Sequence, residues 1–135
     1  MDALLSIKPE YVNRILLNQK KFEYRKRVFA QAVERIYIYE THPTKKIVGF
    51  FYNKGTIQGT PDEVWGRTED FSGIEYDKYM AYFSDRTAAY ALIIGEFIKF
   101  TNPVNPHEIF EQFTPPQSFM YIREGAGYEK LRRMV

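Results

Sequence analysis

Six short runs of apolar or alternating residues, at 4–7, 20–27, 35–40, 46–53, 91–100 and 118–122, set the frame for this chain. Parallel neighbours in a doubly wound sheet need connections of about a dozen or more residues, usually a helix. The second, third and fourth runs are separated only by 28–34 and 41–45. A doubly wound sheet is therefore disfavoured, and a small mixed barrel or rolled sheet with helices at its ends is expected. The predicted class is α+β.

Local signals fill in the helices. Pro9 suits the first turn of a helix, where its missing N–H removes no bond. Tyr11, Val12, Ile15 and Leu16 follow at helical spacing, which predicts an amphipathic helix over 9–18, ended by Asn18 and Gln19. Residues 61–84 read as two helical pieces broken at Phe71, Ser72 and Gly73, the second with a stripe of Tyr76, Tyr79, Met80 and Phe83. Asn105-Pro106 opens a short helix through Phe113, with Asn105 as its cap. Gly55 and Gly59 mark loose structure after the 46–53 strand. The 91–100 run is the longest and most apolar strand, which places it centrally in the sheet. The tail 123–135 is basic and reads as a helix.

Composition removes several classes of protein. The length of 135 residues is that of one domain, 1–135. A hydrophobic share of 44% gives enough apolar surface to offset chain entropy, so disorder is excluded. No apolar stretch approaches the roughly 18 residues of a spanning helix, and MDALLSIKPE at the start lacks the layout of a signal peptide. Membrane association is not expected. Cysteine is absent, which removes disulfides, thiolate nucleophiles and Cys-ligated zinc and is compatible with a cytoplasmic location. Neither a phosphate-binding loop nor a dinucleotide glycine fingerprint is present, nor a GxSxG or HExxH motif. Two isolated histidines, His42 and His107, give no recognised metal spacing, so neither a metal nor a cofactor is implied. The net charge of +2 is too mild to announce nucleic acid by itself. Aromatic residues make up 17% of the chain, and they serve either as core or as stacking platforms for bases.

Three stretches in order carry a resemblance: LLSIKPEYVNRIL at 4–16, KKFEYRKR at 20–27 and PPQSFMYI at 115–122. Together they resemble the ASCH domain family of the PUA-like superfamily. The family run Gly-x-Lys-x-x-Glu-x-Arg is matched by Lys20, Glu23 and Arg25. Its glycine is replaced by Asn18, which tolerates the left-handed helix-ending conformation better than most residues. Lys20 and Lys21 are adjacent, and the spacing favours Lys20 as the motif lysine. The resemblance implies a PUA-like mixed β-barrel with flanking helices and a cleft beside the first helix. It also implies a ligand that is RNA or a modified nucleoside. Some proteins of this family are hydrolases: amidohydrolases of acetylcytidine, and others reported as ribonucleases. In the amidohydrolases the Glu23 position is Thr, and a separate downstream Glu completes the site. Glu69, Asp70 and Glu75 are candidates for that carboxylate here.

The chemistry attached to these residues has two forms. Lysine and arginine attract phosphate, arginine in a two-pronged grip, with Glu23 ordering the cations. Alternatively Glu23 acts as a general base while Lys20 stabilises a developing oxyanion, which suffices for metal-free hydrolysis. The plain counterpart is a solvated strand face carrying salt bridges. Lys8, before the Pro9 helix, would reinforce an anion site there or simply solubilise a turn. Arg27 shares the expected face of Arg25. Thr41 reaches toward a cleft rim or sits in a turn, and His42 beside it is a proton carrier or a turn residue. Gln117 and Ser118 precede the last strand and read a base edge or bond the local backbone. Trp65, Tyr79, Tyr82 and Phe83 stack a base or fill the core. Lys130, Arg132 and Arg133 form a basic patch that touches phosphate or is solvated. Lys8, Lys20, Glu23, Arg25, Arg27, Thr41, Gln117 and Ser118 are thus the candidate binding residues, with Lys20 and Glu23 catalytic if the protein is an enzyme. A third possibility is a regulatory module that acts through a protein partner.

Overall fold

The computed structural model describes residues 1–135. In chain order the elements are β1 (Asp2–Ile7), α1 (Pro9–Leu16), β2 (Phe22–Arg25), β3 (Arg35–Glu40), β4 (Lys46–Gly59), α2 (Pro61–Thr68), α3 (Tyr76–Tyr82), β5 (Ala89–Val104), β6 (Phe119–Ile122) and α4 (Ala126–Arg132). Single 3₁₀ turns lie at Glu69–Phe71 and Pro106–Glu108. All six strands join one sheet in the order β2-β5-β4-β3-β1-β6. Only β1 and β3 run parallel; the other pairs are antiparallel. The α+β class follows.

The sheet is open. Both its edges, β2 and β6, are four-residue strands, and no backbone ladder joins them, so the expected closure into a barrel is not found. A side chain bridges the gap instead. Arg25 of β2 donates from Nη2 to the carbonyl of Ser6 on β1 at 2.9 Å and from Nη1 to the carbonyl of Ser118, next to β6, also at 2.9 Å. The segment after β2 covers the β6 edge: the Tyr121 hydroxyl accepts from the Ala30 and Gln31 N–H groups, and Phe29 packs edge-on against Phe119. Such cover blunts an edge that would otherwise recruit another strand.

Two strands run further than their apolar patterns. β4 continues to Gly59, because irregular registers between Asn53 and Thr56 absorb Gly55 at φ 108° rather than ending the ladder. β5 continues to Val104 opposite Ile47. β5 is interior but lies next to an edge strand; β4 and β3 hold the middle of the sheet. The segment after Asn105 closes only one 3₁₀ turn, not a helix to Phe113, although Asn105 Oδ1 does accept from the His107 N–H at 3.0 Å.

Three apolar clusters form on this frame. One joins β1, α1, β3 and β4 through Leu5, Val12, Ile15, Ile36, Ile38 and Phe51. Another, with Tyr37, Phe50, Phe100 and Leu131, lies under α4. The third packs Val64, Tyr79 and Phe83 of the α2–α3 insert on Tyr24, Ala89 and Ala91. Tyr79 and Phe83 are therefore core, and Trp65 packs on Tyr79 at 4.7 Å. The basic tail is tied down. Arg132 pairs with fully buried Asp2 at 3.1 Å and with Glu34 at 3.4 Å, and Lys130 approaches Glu108 at 3.9 Å. No helix is long and apolar enough to cross a membrane.

Candidate functional site

The site begins at the end of α1. Asn18 takes φ 59°, the left-handed turn expected of the motif's glycine position. The Gln19 and Lys20 N–H groups both donate to the Arg14 carbonyl, at 2.9 and 3.1 Å. This tight ending turns Lys20 inward and Lys21 outward. Lys20 is 3% exposed, whereas Lys21 is exposed with its Nζ 4.2 Å from the centre of the Phe71 ring.

Lys20 is then gripped by the α2–α3 insert. Its Nζ donates to the Ser72 carbonyl at 2.8 Å, and Gly73 lies against its methylene stem. The insert is docked there by further bonds. The Lys21 N–H donates to the Phe71 carbonyl at 2.9 Å, and Arg14 Nη1 to the Gly73 carbonyl at 2.8 Å.

Along β2 the alternating pattern has both faces covered. Tyr24 packs into the third cluster and donates to Thr68 Oγ1 at 2.7 Å. Glu23 and Arg25, expected at a cleft with a solvated strand face as the plain counterpart, are each 8% exposed. Arg25 Nε and Nη2 both donate to Glu23 Oε2, at 3.1 and 2.8 Å. Lys20 Nζ lies 3.8 Å from the other carboxylate oxygen, Oε1. The motif thus forms one buried Lys20–Glu23–Arg25 group.

A cavity of about 550 Å³ opens onto it, within the size range of small-molecule sites. β1 and the turn after it contribute Ser6, Ile7 and Lys8, and α1 contributes Tyr11. Tyr24 joins the three motif residues, α3 and its approach supply Ile74, Lys78, Ala81 and Tyr82, and Gln117 stands before β6. The Ser6 hydroxyl is buried without a partner. Glu23 is the sole carboxylate of this lining, and Arg25 already occupies one of its oxygens; the lining holds no second carboxylate and no imidazole with which to ligate a metal.

The lining therefore includes Lys8, Lys20, Glu23, Arg25 and Gln117 and leaves out three other candidates. Arg27 is exposed beyond the end of β2, where the strand alternation has stopped. Thr41 sits in the turn after β3, its N–H bonded to the Ile7 carbonyl at 3.1 Å. Ser118 takes part only through its carbonyl, which accepts from Arg25. Glu69, Asp70 and Glu75 do not line the cavity; Glu75 pairs with Arg14 at 3.2 Å. His42 is exposed in the turn. Sequence reasoning did not single out Ser6, Tyr11, Ser72, Gly73 or Lys78.

Burial pushes the Lys20 amine down to about 8, with the Glu23 carboxylate opposing the shift. The unfolded chain, with Lys20 near 10.5, then binds more protons than the folded one between about pH 8 and pH 10.5, so stability from this group rises with pH across that window. Burial raises the Tyr24 phenol to about 12, which lowers stability once unfolded tyrosine ionises above about pH 10. Urea midpoints are expected to climb from about pH 8 to pH 10 and to do so less in Lys20→Met. Equal slopes for the two proteins would show that Lys20 keeps an ordinary amine.

No family model matches the chain. It is 30% identical over 130 residues to the ASCH domain-containing ribonuclease of Zymomonas mobilis, covering 91% of this chain and 85% of that protein. A crystal structure of ASCH from Zymomonas mobilis superposes with a TM-score of 0.89 at 29% identity, covering 99% of this chain and 96% of that one. A stretch of 91 residues is also 31% identical to part of the large ribosomal subunit protein uL22 of Ureaplasma parvum, covering 67% of this chain and 29% of that protein.

Proposed function

The chain belongs to the ASCH domain family, and on that premise we propose that it binds RNA, or a nucleoside, in the cytoplasm through the cavity between α1, β2 and α3. The observation that carries this is the buried lysine–carboxylate pair, Lys20 and Glu23, opening on a 550 Å³ cavity with aromatic walls. Inside, Lys20 and Glu23 supply a donor and an acceptor, and Gln117 offers an amide. At the mouth, exposed Lys8 and Lys78 meet the phosphate chain. The relative named as a ribonuclease supports RNA as the ligand.

A second reading makes the protein a metal-free hydrolase of RNA. It is favoured by an amine lowered to about 8 beside a carboxylate oxygen at 3.8 Å, since a group titrating near working pH exchanges protons efficiently. The acetylcytidine reaction has less support, because none of Glu69, Asp70 and Glu75 lines the cavity.

A labelled single-stranded RNA, followed by fluorescence anisotropy and by gel, tests both readings. Lys20→Ala is expected to weaken binding at least about tenfold, the order of one charge-assisted contact. If the wild type cleaves the RNA, the same change is expected to abolish product. Unchanged affinity in a folded Lys20→Ala would move the RNA site elsewhere. No affinity even at low salt would favour a module that works through a protein partner.

A further inference from the structure

The geometry points to one kind of contact inside this cavity: a single unpaired nucleobase, admitted edge first and read at its Watson–Crick edge by Glu23 Oε1 and Lys20 Nζ, with its phosphates left at the mouth. This rests on the RNA or nucleoside binding proposed above and specifies what that site reads.

The first support is what Arg25 is not free to do. Its four hydrogen bonds, two to Glu23 Oε2 and one each to the Ser6 and Ser118 carbonyls, leave a single N–H of the guanidinium. A bidentate grip on phosphate needs two parallel N–H groups. Arg25 is therefore a strut that spans the open side of the sheet. Lys20 is similarly committed, with one donor on the Ser72 carbonyl and its Nζ 5.5 and 4.8 Å from the centres of the Tyr11 and Tyr24 rings. A phosphate drawn into this place would shed its hydration against two cations that already share the Glu23 carboxylate.

The second support is what remains open. Both hydrogen bonds to the Glu23 carboxylate go to Oε2, which leaves Oε1 open on a residue that lines the cavity, and Lys20 Nζ stands 3.8 Å from Oε1. An acceptor beside a donor complements a base, whose Watson–Crick edge carries a donor and an acceptor side by side. The walls suit the rest of a heterocycle. Tyr82 is 38% exposed on α3, with Ala81 beside it and Ile74 before the helix, and an exposed ring is a platform for stacking. Lys78 keeps 56% of its side chain exposed at the rim, where it can meet the sugar–phosphate chain. In a duplex the same base edges are already paired, so only an unpaired base fits.

The test is competition on the intact chain with a labelled single-stranded RNA. Competitors are the four ordinary nucleosides, their Watson–Crick-edge methyl derivatives (3-methyluridine, 3-methylcytidine, 1-methyladenosine and 1-methylguanosine), inorganic phosphate, and an RNA duplex. At least one ordinary nucleoside is expected to displace the label and to lose about tenfold or more when its edge is methylated, in the range of one two-bond base contact. Phosphate and duplex at matching concentration are expected to displace far less. Displacement by phosphate as readily as by nucleosides, indifference to edge methylation, or failure of every nucleoside while the RNA still binds overturns this inference and leaves RNA binding standing. Absence of RNA binding overturns the reading beneath it as well. These outcomes need no variant, so they do not depend on whether Glu23 can be replaced.

Discussion

Replacing Glu23 by alanine is expected to destabilise the fold by about 3–5 kcal/mol, the cost of breaking a buried ion pair from one side. The carboxylate is the shared counter-charge of two cations whose side chains are only 3% and 10% exposed. Without it, Arg25 loses two of its four bonds, and both positive groups stay in a poorly hydrated place. The strain passes to the open side of the sheet, because the same guanidinium holds the Ser6 and Ser118 carbonyls. Glu23→Gln keeps an oxygen for Arg25 and is expected to cost less than Glu23→Ala. Urea unfolding monitored by circular dichroism measures both. A loss below about 1 kcal/mol for the alanine variant, the worth of an exposed ion pair, would show that the group is solvated in solution.

The second large effect is expected at Gly73, a residue with no chemistry of its own. Its φ is +65°, and a Cβ there would stand 2.3 Å from Lys20 Cβ and 2.6 Å from Lys20 Cγ. Gly73→Ala therefore combines a left-handed backbone with an overlap on Lys20 Cβ that rotating the lysine side chain does not relieve. The two together are expected to cost about 2–4 kcal/mol. The consequence for ligand binding should exceed that of an ordinary destabilised variant. Lys20 must move its stem, and its bond to the Ser72 carbonyl, directly before Gly73, goes with it. In the folded population, RNA affinity should fall about as far as in Lys20→Ala. An amine restored to an ordinary value, followed by NMR titration, would accompany that fall. Gly73→Ala with full stability and full RNA affinity would mean that the insert is not what holds the lysine.

The contrast between these two residues shows where sequence reasoning reached and where it stopped. Pro9 and the spacing of Tyr11, Val12, Ile15 and Leu16 marked α1 because local propensity and one buried face agree there. Arg35–Glu40 stands at its expected bounds for the same reason. The spacing of the motif survives: Asn18 makes the exposed left-handed turn, and Lys20, Glu23 and Arg25 form a buried group. What alternation alone left open was whether the charged face meets water or a cleft. Charged residues at every second position normally mean water, but here α3 and the end of β1 cover that side of β2 and enclose the charges with one another. Ser72 and Gly73 looked only like a helix break. They lie 52 and 53 residues beyond Lys20 in sequence, so no local period links them to it; only the docking of the insert does. The sheet's failure to close was equally hidden. A side-chain strut replaces a backbone ladder, and strand patterns carry no trace of that substitution.

The placement of β1 between β3 and β6 has a consequence for how the protein is made. As the chain emerges from the ribosome, β3 follows Asp2–Ile7 soon enough to pair with it. The other flank of β1 must wait for Phe119–Ile122, and Asp2 for Arg132. Joining segments so distant along the chain is entropically slow. The wall that Gln117 completes is thus added more than ninety residues after Lys20 and Glu23, and until then a nascent chain carries those two without a finished pocket around them.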